Sequence, residues 1–434
     1  MKSSKSYSRR LNAVIPGGAH TYSRGDDQYP ANAPQIFKRG EGACLYTPDG
    51  EEFLDYGMCL RAVTLGYAEK QINDAAMEQI AFGNNLTRPS IVELEAAEAL
   101  VDLIPSVDMV KFTKNGSNAT TAAVKLARAY TGKKYVIRCF EHPFFSFDDW
   151  FIGNTPLTIG IPHEFQDLTL NFNYNDLKSL ENLFDQHKGQ IAGVIMEPAT
   201  TEHPQPGFLQ KVKDICHKNG AVFILDEMIT GFRWHLQGAQ AYYDAEPDLS
   251  TFGKGMANGF SVSALAGKKE IMKLGGIKDT GSEKLFLLST THGGEMCGLG
   301  AFLAAIKFYK EHNVIEHLWN YGEKLIRGIN EIASKLSIGE YFKAGGIPCS
   351  PVYTTKDKDG AACLGMRTLF SQEMIKHNVL MPWIALSYAH TDKELGHTLH
   401  AVEKSLQVYC RALDAGYEAF VKGDIIKPVF RKYL

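Results

Sequence analysis

Several features that would each assign a function class are missing from this sequence. Its eight cysteines, at positions 44, 59, 139, 216, 297, 349, 363 and 410, are scattered and include no C-x-x-C pair. That argues against a zinc site and a disulfide framework, and it suits a reducing cytoplasm. An excess of one charge is also missing: 46 basic against 49 acidic residues leave a formal net charge of −3, which offers no field to gather nucleic acid or an anionic membrane. No run approaches about 18 uninterrupted apolar residues. The basic start Met1-Lys2-Ser3-Ser4-Lys5-Ser6-Tyr7-Ser8-Arg9-Arg10 leads into no apolar export segment, so nothing in the sequence exports or anchors the chain. No G-x-G-x-x-G follows an early strand, which sets aside dinucleotide binding. Internal repeats and low-complexity tracts are missing too. His390, His397 and His400 come near one another in sequence without a metal-ligand spacing, and they read as solvated or capping residues. No metal site and a small-molecule partner are the expectation.

What is present is an ordinary globular composition, 44% hydrophobic and 22% charged, in a chain long enough to need two or three subdomains. Residues 1–65 combine glycine and proline turns with short strand-like pieces, Cys44-Leu45-Tyr46 and Glu52-Phe53-Leu54-Asp55-Tyr56, joined through the hairpin signal Asp49-Gly50. This stretch reads as an N-terminal segment. Residues 66–319 alternate strand-length apolar runs with helical periodicity. Met109-Val110-Lys111-Phe112 precedes a helix through Tyr130, then come Tyr135-Val136-Ile137, Ile191 to Met196, a helix near Leu209 to Lys218, Ala221 to Leu225, and Ser261 to Ala266. That alternation implies an α/β domain with a mostly parallel sheet covered on both faces. Residues 320–434 read as a smaller α+β domain, with long helices around Leu318–Ile332 and from Lys393 past Val408 and a strand at Pro351-Val352-Tyr353-Thr354 between them. The segment from Leu274 to Gly281 reads as a mobile loop.

The chemistry is concentrated at strand ends. Asp226 closes the apolar run Ala221-Val222-Phe223-Ile224-Leu225, and 28 residues later Lys254 stands between Gly253 and Gly255. A carboxylate at the carboxyl end of a parallel strand and a lysine on a glycine-flanked turn together suggest pyridoxal phosphate. The carboxylate would hold a proton on the pyridine nitrogen, and the amine would form the Schiff base. Either alone has a blander reading, as a loop anchor or a solvated lysine. After the Met109 strand, Lys114-Asn115-Gly116-Ser117-Asn118 feeds a helix whose free N–H groups and a hydroxyl suit a phosphate. The competing reading is that Ser117 or Asn118 only caps that helix. Phe140, Phe144, Phe145 and Phe147 crowd the loop after the next strand, where one of them could stack on a planar ring.

The pair Leu225-Asp226-Glu227-Met228-Ile229-Thr230-Gly231-Phe232-Arg233 and Thr251-Phe252-Gly253-Lys254-Gly255 resembles the class III aminotransferases of fold type I. Within them it looks most like the glutamate-1-semialdehyde 2,1-aminomutase branch. The resemblance runs from Pro16-Gly17-Gly18 to Ala389-His390-Thr391-Asp392. It implies a large domain with a seven-stranded, mostly parallel sheet, a smaller α+β domain and pyridoxal 5'-phosphate as cofactor. It also implies roles for single residues. Lys254 forms the internal aldimine and shuttles a proton, and Asp226 pairs with the pyridinium nitrogen. Glu197, in Met196-Glu197-Pro198, is an acid near the substrate and a cofactor oxygen. Asn115, Gly116 and Ser117 form the phosphate turn, with Asn115 where the family often has serine. Phe144 takes the place of a stacking tyrosine, and Met228 belongs to the same cofactor set. Thr290, in Ser289-Thr290-Thr291-His292-Gly293-Gly294, reaches the phosphate of a neighbouring subunit, which implies a homodimer with shared active sites. Arg24 falls where the aminomutase branch holds the substrate carboxylate, a task suited to a two-pronged guanidinium. A solvated arginine on a flexible segment is the competing reading.

Three departures lie on the substrate side. Gly293-Gly294-Glu295 stands where the aminomutase branch has G-N-P. The segment Met381-Pro382-Trp383-Ile384-Ala385-Leu386 runs directly into Ser387-Tyr388-Ala389-His390, and the Tyr-His-Gly stretch is lost. The expected activity is therefore ping-pong transfer of an amino group from an amino-acid donor to a keto or aldehyde acceptor. The alternative is the aminomutase reaction that makes 5-aminolevulinate.

Overall fold

In the computed structural model, which describes residues 5–278, 281 and 283–433, the apolar run Ile191–Met196 is a strand with every residue buried. Such a run needs cover on both faces, and parallel strands flanked by helices supply it. Thirteen strands are formed among the described residues. β1 (Arg39–Glu41), β2 (Cys44–Tyr46) and β3 (Glu52–Asp55) come first. Next are β4 (Met109–Thr113), β5 (Tyr135–Cys139), β6 (Thr169–Phe172), β7 (Ile191–Met196), β8 (Val222–Asp226), β9 (Leu249–Phe252) and β10 (Ser263–Gly267). Last are β11 (Phe342–Ile347), β12 (Ser350–Thr355) and β13 (Val379–Leu380).

Seven of them form one sheet in the order β4-β10-β9-β8-β7-β5-β6. The β9-β8-β7-β5-β6 neighbours are parallel, whereas β10 runs antiparallel to both β4 and β9. The sheet is thus seven-stranded and mostly parallel. On one of its faces Ile137, Phe172, Val194, Met196, Phe223 and Leu225 pack with Leu180, Phe208 and Val212 from the helices Leu177–Gln186 and Phe208–Lys218. Because β8, β7 and β5 point the same way, their carboxyl ends carry Asp226, Glu197 and the loop from Phe140 to one edge, where α/β sheets bind ligands.

The chain divides into two compact units. One is built around Lys70–Ile315, and the other joins the chain up to Glu69 with Glu316–Arg431. Read from the sequence, residues 1–65 stood as a segment of their own and the last boundary lay at 319/320. The structure instead completes the second unit with the N-terminal strands. β1, β2 and β3 are antiparallel neighbours, turned through Gly50 at φ +91°, and β3 pairs in parallel with β13, matching Leu54 to Val379 and Asp55 to Leu380. A pairing between strands that far apart in sequence leaves no local signature. In the same unit His390 is fully buried, not solvated. Its Nδ1 faces the Ser387 N–H at 3.0 Å, its ring stacks on Tyr56 at 4.5 Å, and burial pushes it down to about 4. His397 sits on the Asp392–Ala415 helix with Nε2 2.8 Å from the His377 carbonyl. No group of three or more His, Cys, Asp or Glu among the described residues could hold a metal ion. Part of the segment read as a mobile loop, Asp279 and Thr280, lies outside the described residues. No helix among them is long and apolar enough to cross a membrane.

Candidate active site

Asp226 is the last residue of β8 and is buried with the apolar residues that precede it. Its Oδ1 accepts the Met228 N–H at 3.0 Å and the hydroxyl of Thr251, its register neighbour on β9, at 2.9 Å. Burial pushes the carboxyl up to about 6, and the Lys254 charge pulls the other way. Glu227, next in the chain, has a different task. Its carboxylate takes the Thr230 hydroxyl and the N–H groups of Ala239 (2.9 Å) and Gln240 (2.7 Å), so it holds the following loop closed, and burial pushes it up to about 7. The two acids of the Asp-Glu pair therefore differ: Glu227 is spent on holding the loop, and Asp226 stays at the strand end.

Lys254 follows β9 through Gly253 and opens a short 3-10 turn, Lys254–Ala257, half-buried and at φ +45°. A left-handed lysine is uncommon, and such conformations gather at functional sites. The turn is held from below by the Tyr309 hydroxyl, which donates to the Gly255 carbonyl at 3.0 Å.

The turn expected to take a phosphate is the start of the Gly116–Thr131 helix. Asn115, and neither Ser117 nor Asn118, is its cap: the Asn115 Oδ1 accepts the Asn118 N–H at 2.9 Å. The first amides of a helix have no intrahelical acceptor, so those of Gly116 and Ser117 are left facing the strand edge at the positive end of the helix. The Ser117 Oγ accepts the Phe147 N–H at 3.1 Å, which leaves its own proton to donate, and the Thr120 hydroxyl donates to the Phe145 carbonyl at 2.8 Å. These bonds fasten the aromatic loop to the helix start. Phe144 on that loop is 45% exposed, edge-on to Phe151 at 5.6 Å. Met228 lies against both glycine turns. A Cβ at Gly116 would come within 2.9 Å of the Met228 Sδ, and one at Gly253 within 2.6 Å of it. The glycines let Met228 and the two backbones close up.

Glu197 follows β7 and is buried, and its N–H donates to Nδ1 of the buried His142 at 2.9 Å. Thr290 is exposed, its carbonyl accepting the Gly293 N–H at 3.1 Å. The departure at Gly293-Gly294-Glu295 has a structural use. The Glu295 carboxylate takes the Lys114 amine at 2.5 Å and the Asn84 amide at 3.2 Å, so it anchors the residue that precedes the Asn115 cap. The paired lysine holds its carboxyl below the usual range.

Asp226, Lys254, Asn115, Gly116, Ser117, Phe144, Met228, Glu197 and Thr290 all belong to one unit, where Met228 touches both the Gly116 and the Gly253 turns. Arg24 belongs to the other unit, exposed, with Nη2 2.9 Å from the Cys59 Sγ. Cys59 sits in a left-handed turn, Met58-Cys59-Leu60-Arg61, with φ from +39° to +69° and no glycine. Such a turn costs about 1–2 kcal/mol per residue. It is held by the buried Asp55, which accepts the N–H groups of Gly57 (2.7 Å) and Met58 (2.9 Å) and the Tyr67 hydroxyl (2.7 Å). Sequence reasoning passed over Thr251, Glu227 and His142, although all three lie in stretches it had singled out.

Residues 27–349 match the family model "Aminotransferase class-III". The chain belongs to the class III aminotransferases. It is 32% identical over 405 residues to the 3-aminobutyryl-CoA aminotransferase of Cloacimonas acidaminovorans, covering 91% of this chain and 94% of that one. To the glutamate-1-semialdehyde 2,1-aminomutase 2 of an Exiguobacterium species it is 31% identical over 91% and 94%. Among solved structures, the FumI protein of Sphingopyxis sp. MTA144, in its PLP internal aldimine form, superposes with a TM-score of 0.86 at 28% identity, covering 95% and 97% of the two chains. An omega-transaminase from Sphaerobacter thermophilus gives 0.84 at 25%, covering 94% and 98%. The enzyme is thus a fold type I aminotransferase, and its cofactor is pyridoxal phosphate. Its residues fit that group: the helix start offers amides and a hydroxyl for a phosphate, and a buried carboxylate stands near a lysine.

Proposed function

We propose that this aminotransferase takes its amino group from an external amino-acid donor and passes it to a keto or aldehyde acceptor in two successive half-reactions. Bound pyridoxal phosphate supplies an electron sink for the carbon that loses its proton. The rest falls to residues of the chain. In this reading Lys254 holds the cofactor covalently, and its freed amine carries the proton between the two carbons. Asp226 keeps a proton on the pyridine nitrogen. Gly116 and Ser117 bind the phosphate, and Asn115 holds the turn that presents them. Phe144 and Met228 cover the two faces of the ring, and Glu197 lies beside its oxygen. Thr290 of one subunit reaches the phosphate in the other, so the working unit is a homodimer. Support for that comes from its exposed position and from exposed apolar side chains on and beside the Lys70–Ala81 and Ile91–Leu103 helices, namely Met77, Ile80, Phe82, Leu86, Ile91 and Leu94. Arg24 holds a substrate carboxylate, a role supported by the strained turn that meets it. The eight free cysteines favour the cytoplasm as its place of work.

The observation that carries the external-donor reading is the contrast between a retained cofactor set and an altered substrate side, where Glu295 is tied to Lys114. The second reading, intramolecular exchange on glutamate 1-semialdehyde, is supported by the 31% identity to aminomutases and by Arg24 in its motif. The test mixes yellow holoenzyme separately with L-glutamate, other amino acids and the semialdehyde. Bleaching of the cofactor's visible absorbance by a simple amino acid, with one keto acid released per site, is the expected result. Isomerisation of the semialdehyde to 5-aminolevulinate, with no amino acid reacting, would establish the second reading instead. Ser117→Ala is expected to weaken cofactor retention about tenfold, the worth of one charge-assisted hydrogen bond. Unchanged release of cofactor on dilution would remove Ser117 from the phosphate turn.

A further inference from the structure

The loop after β5 holds a buried group that the reading above leaves unused. His142 is 1% exposed, its ring 5.1 Å from that of Tyr174 and 6.2 Å from that of Phe145. Its Nδ1 accepts the Glu197 N–H at 2.9 Å, so the ring proton sits on Nε2. That Nε2–H meets no acceptor among the described residues. Burial first, and the nearby Arg138 charge second, push the imidazole down to about 3, so it stays neutral at any working pH. The loop around it is firmly held. Arg138, itself buried, donates from Nη1 to the carbonyls of Cys139 (3.2 Å), Phe140 (3.2 Å) and His142 (3.5 Å), and from Nε to the Asn154 Oδ1 at 2.7 Å. An imidazole locked this way, with one nitrogen used and the other left as an unpaired buried donor, is costly unless a bound group completes it.

Sheet order says which group that is. The phosphate turn follows β4, which lies with β10 and β9 on one side of β8, whereas β7 and β5 lie on the other side. In pyridoxal phosphate the phosphate arm and the ring hydroxyl flank the carbonyl-bearing carbon on opposite sides of the axis through the ring nitrogen. With the nitrogen at Asp226 on β8 and the phosphate toward the β4 side, the ring oxygen faces the ends of β7 and β5. The geometry points to His142 as a cofactor-binding residue that fixes the Glu197 backbone through Nδ1 and donates its Nε2–H to the ring oxygen of bound pyridoxal phosphate. This rests on the cofactor and on Asp226, not on the identity of the amino donor, so failure of the external-donor reading leaves it standing.

Three holoenzyme variants test it, read by cofactor release on dilution, the position of the visible absorbance band, and the melting temperature after the cofactor is stripped. His142→Asn keeps an acceptor for the Glu197 N–H but loses the outer donor. Stripped of cofactor it is expected to melt within a few degrees of the stripped wild type, and as holoenzyme to release cofactor about tenfold more readily and show a displaced band. His142→Gln, whose longer amide can carry an N–H outward, is expected to recover part of that retention, and His142→Ala to lose both retention and melting temperature. Wild-type retention and an unmoved band in His142→Asn would overturn the assignment. So would equal losses of retention in His142→Asn and His142→Gln that follow a fall in melting temperature, because the role would then be packing alone.

Discussion

Lys254→Ala is expected to release all of the cofactor that borohydride would otherwise fix to the protein, and to cut turnover by at least about 10³-fold. The amine has two tasks in the proposed cycle, holding the cofactor and moving the proton, and alanine can do neither. The fold should survive. Lys254 is half-buried on a short turn, and alanine keeps the Cβ, so the left-handed backbone at φ +45° is no more strained than before. The turn also keeps its tie to Tyr309 through the Gly255 carbonyl. The measurements are the mass of the borohydride-treated protein, single-turnover absorbance and a melting curve. A variant that still gives a reduced pyridoxyl adduct would place the Schiff-base lysine elsewhere.

Asp226→Asn is expected to slow turnover about 10²- to 10³-fold, since a neutral amide cannot hold the pyridine nitrogen protonated as an electron sink. The same change should move stability the other way. The folded-state pKa of Asp226 lies above its ordinary value of 3.8, at about 6, with burial as the main cause. A raised carboxyl favours the folded state below about pH 4, where it is protonated folded or unfolded, and that advantage is lost as the pH rises through about 6. At pH 8 the charged, buried carboxylate costs the apoenzyme about 3 kcal/mol, taking 1.36 kcal/mol per pKa unit. The amide avoids this cost while its oxygen can still accept from Met228 and Thr251. The cofactor-free variant should therefore melt above the cofactor-free wild type at pH 8 and with it at pH 4. Near-normal turnover would mean that the pyridinium partner is another group, and a cofactor-free variant less stable at pH 8 would mean that burial does not penalise the Asp226 charge.

The candidate pair could be picked out in the sequence because both members sit at points that sequence marks plainly. Asp226 ends a run of five apolar residues, and Lys254 stands between glycines. The Asn115-Gly116-Ser117 stretch was legible as a turn feeding a helix, but its cap was not, since Asn115, Ser117 and Asn118 all suit that position and only the backbone decides. β6 and β9 escaped notice because Thr169-Leu170-Asn171-Phe172 and Leu249-Ser250-Thr251-Phe252 are short and half polar. They become strands because the sheet supplies neighbours, and in β9 the polar Thr251 then faces Asp226. The joining of β3 to β13 and the left-handed turn at Met58–Arg61 had no local signal, the first because it is a long-range pairing and the second because the turn contains no glycine. His142 was read only as part of an aromatic loop. Its meaning comes from Glu197, which lies on another strand end.

The site stands or falls with one lysine, and the most direct measurement is peptide mapping of wild-type holoenzyme after borohydride reduction. A pyridoxyl group on Lys254, in near-stoichiometric yield, is the expected result. The same group on any other lysine, or a cofactor that borohydride leaves unattached, would contradict the assignment of Lys254, and with it the placement of Asp226, the phosphate turn and His142 around it.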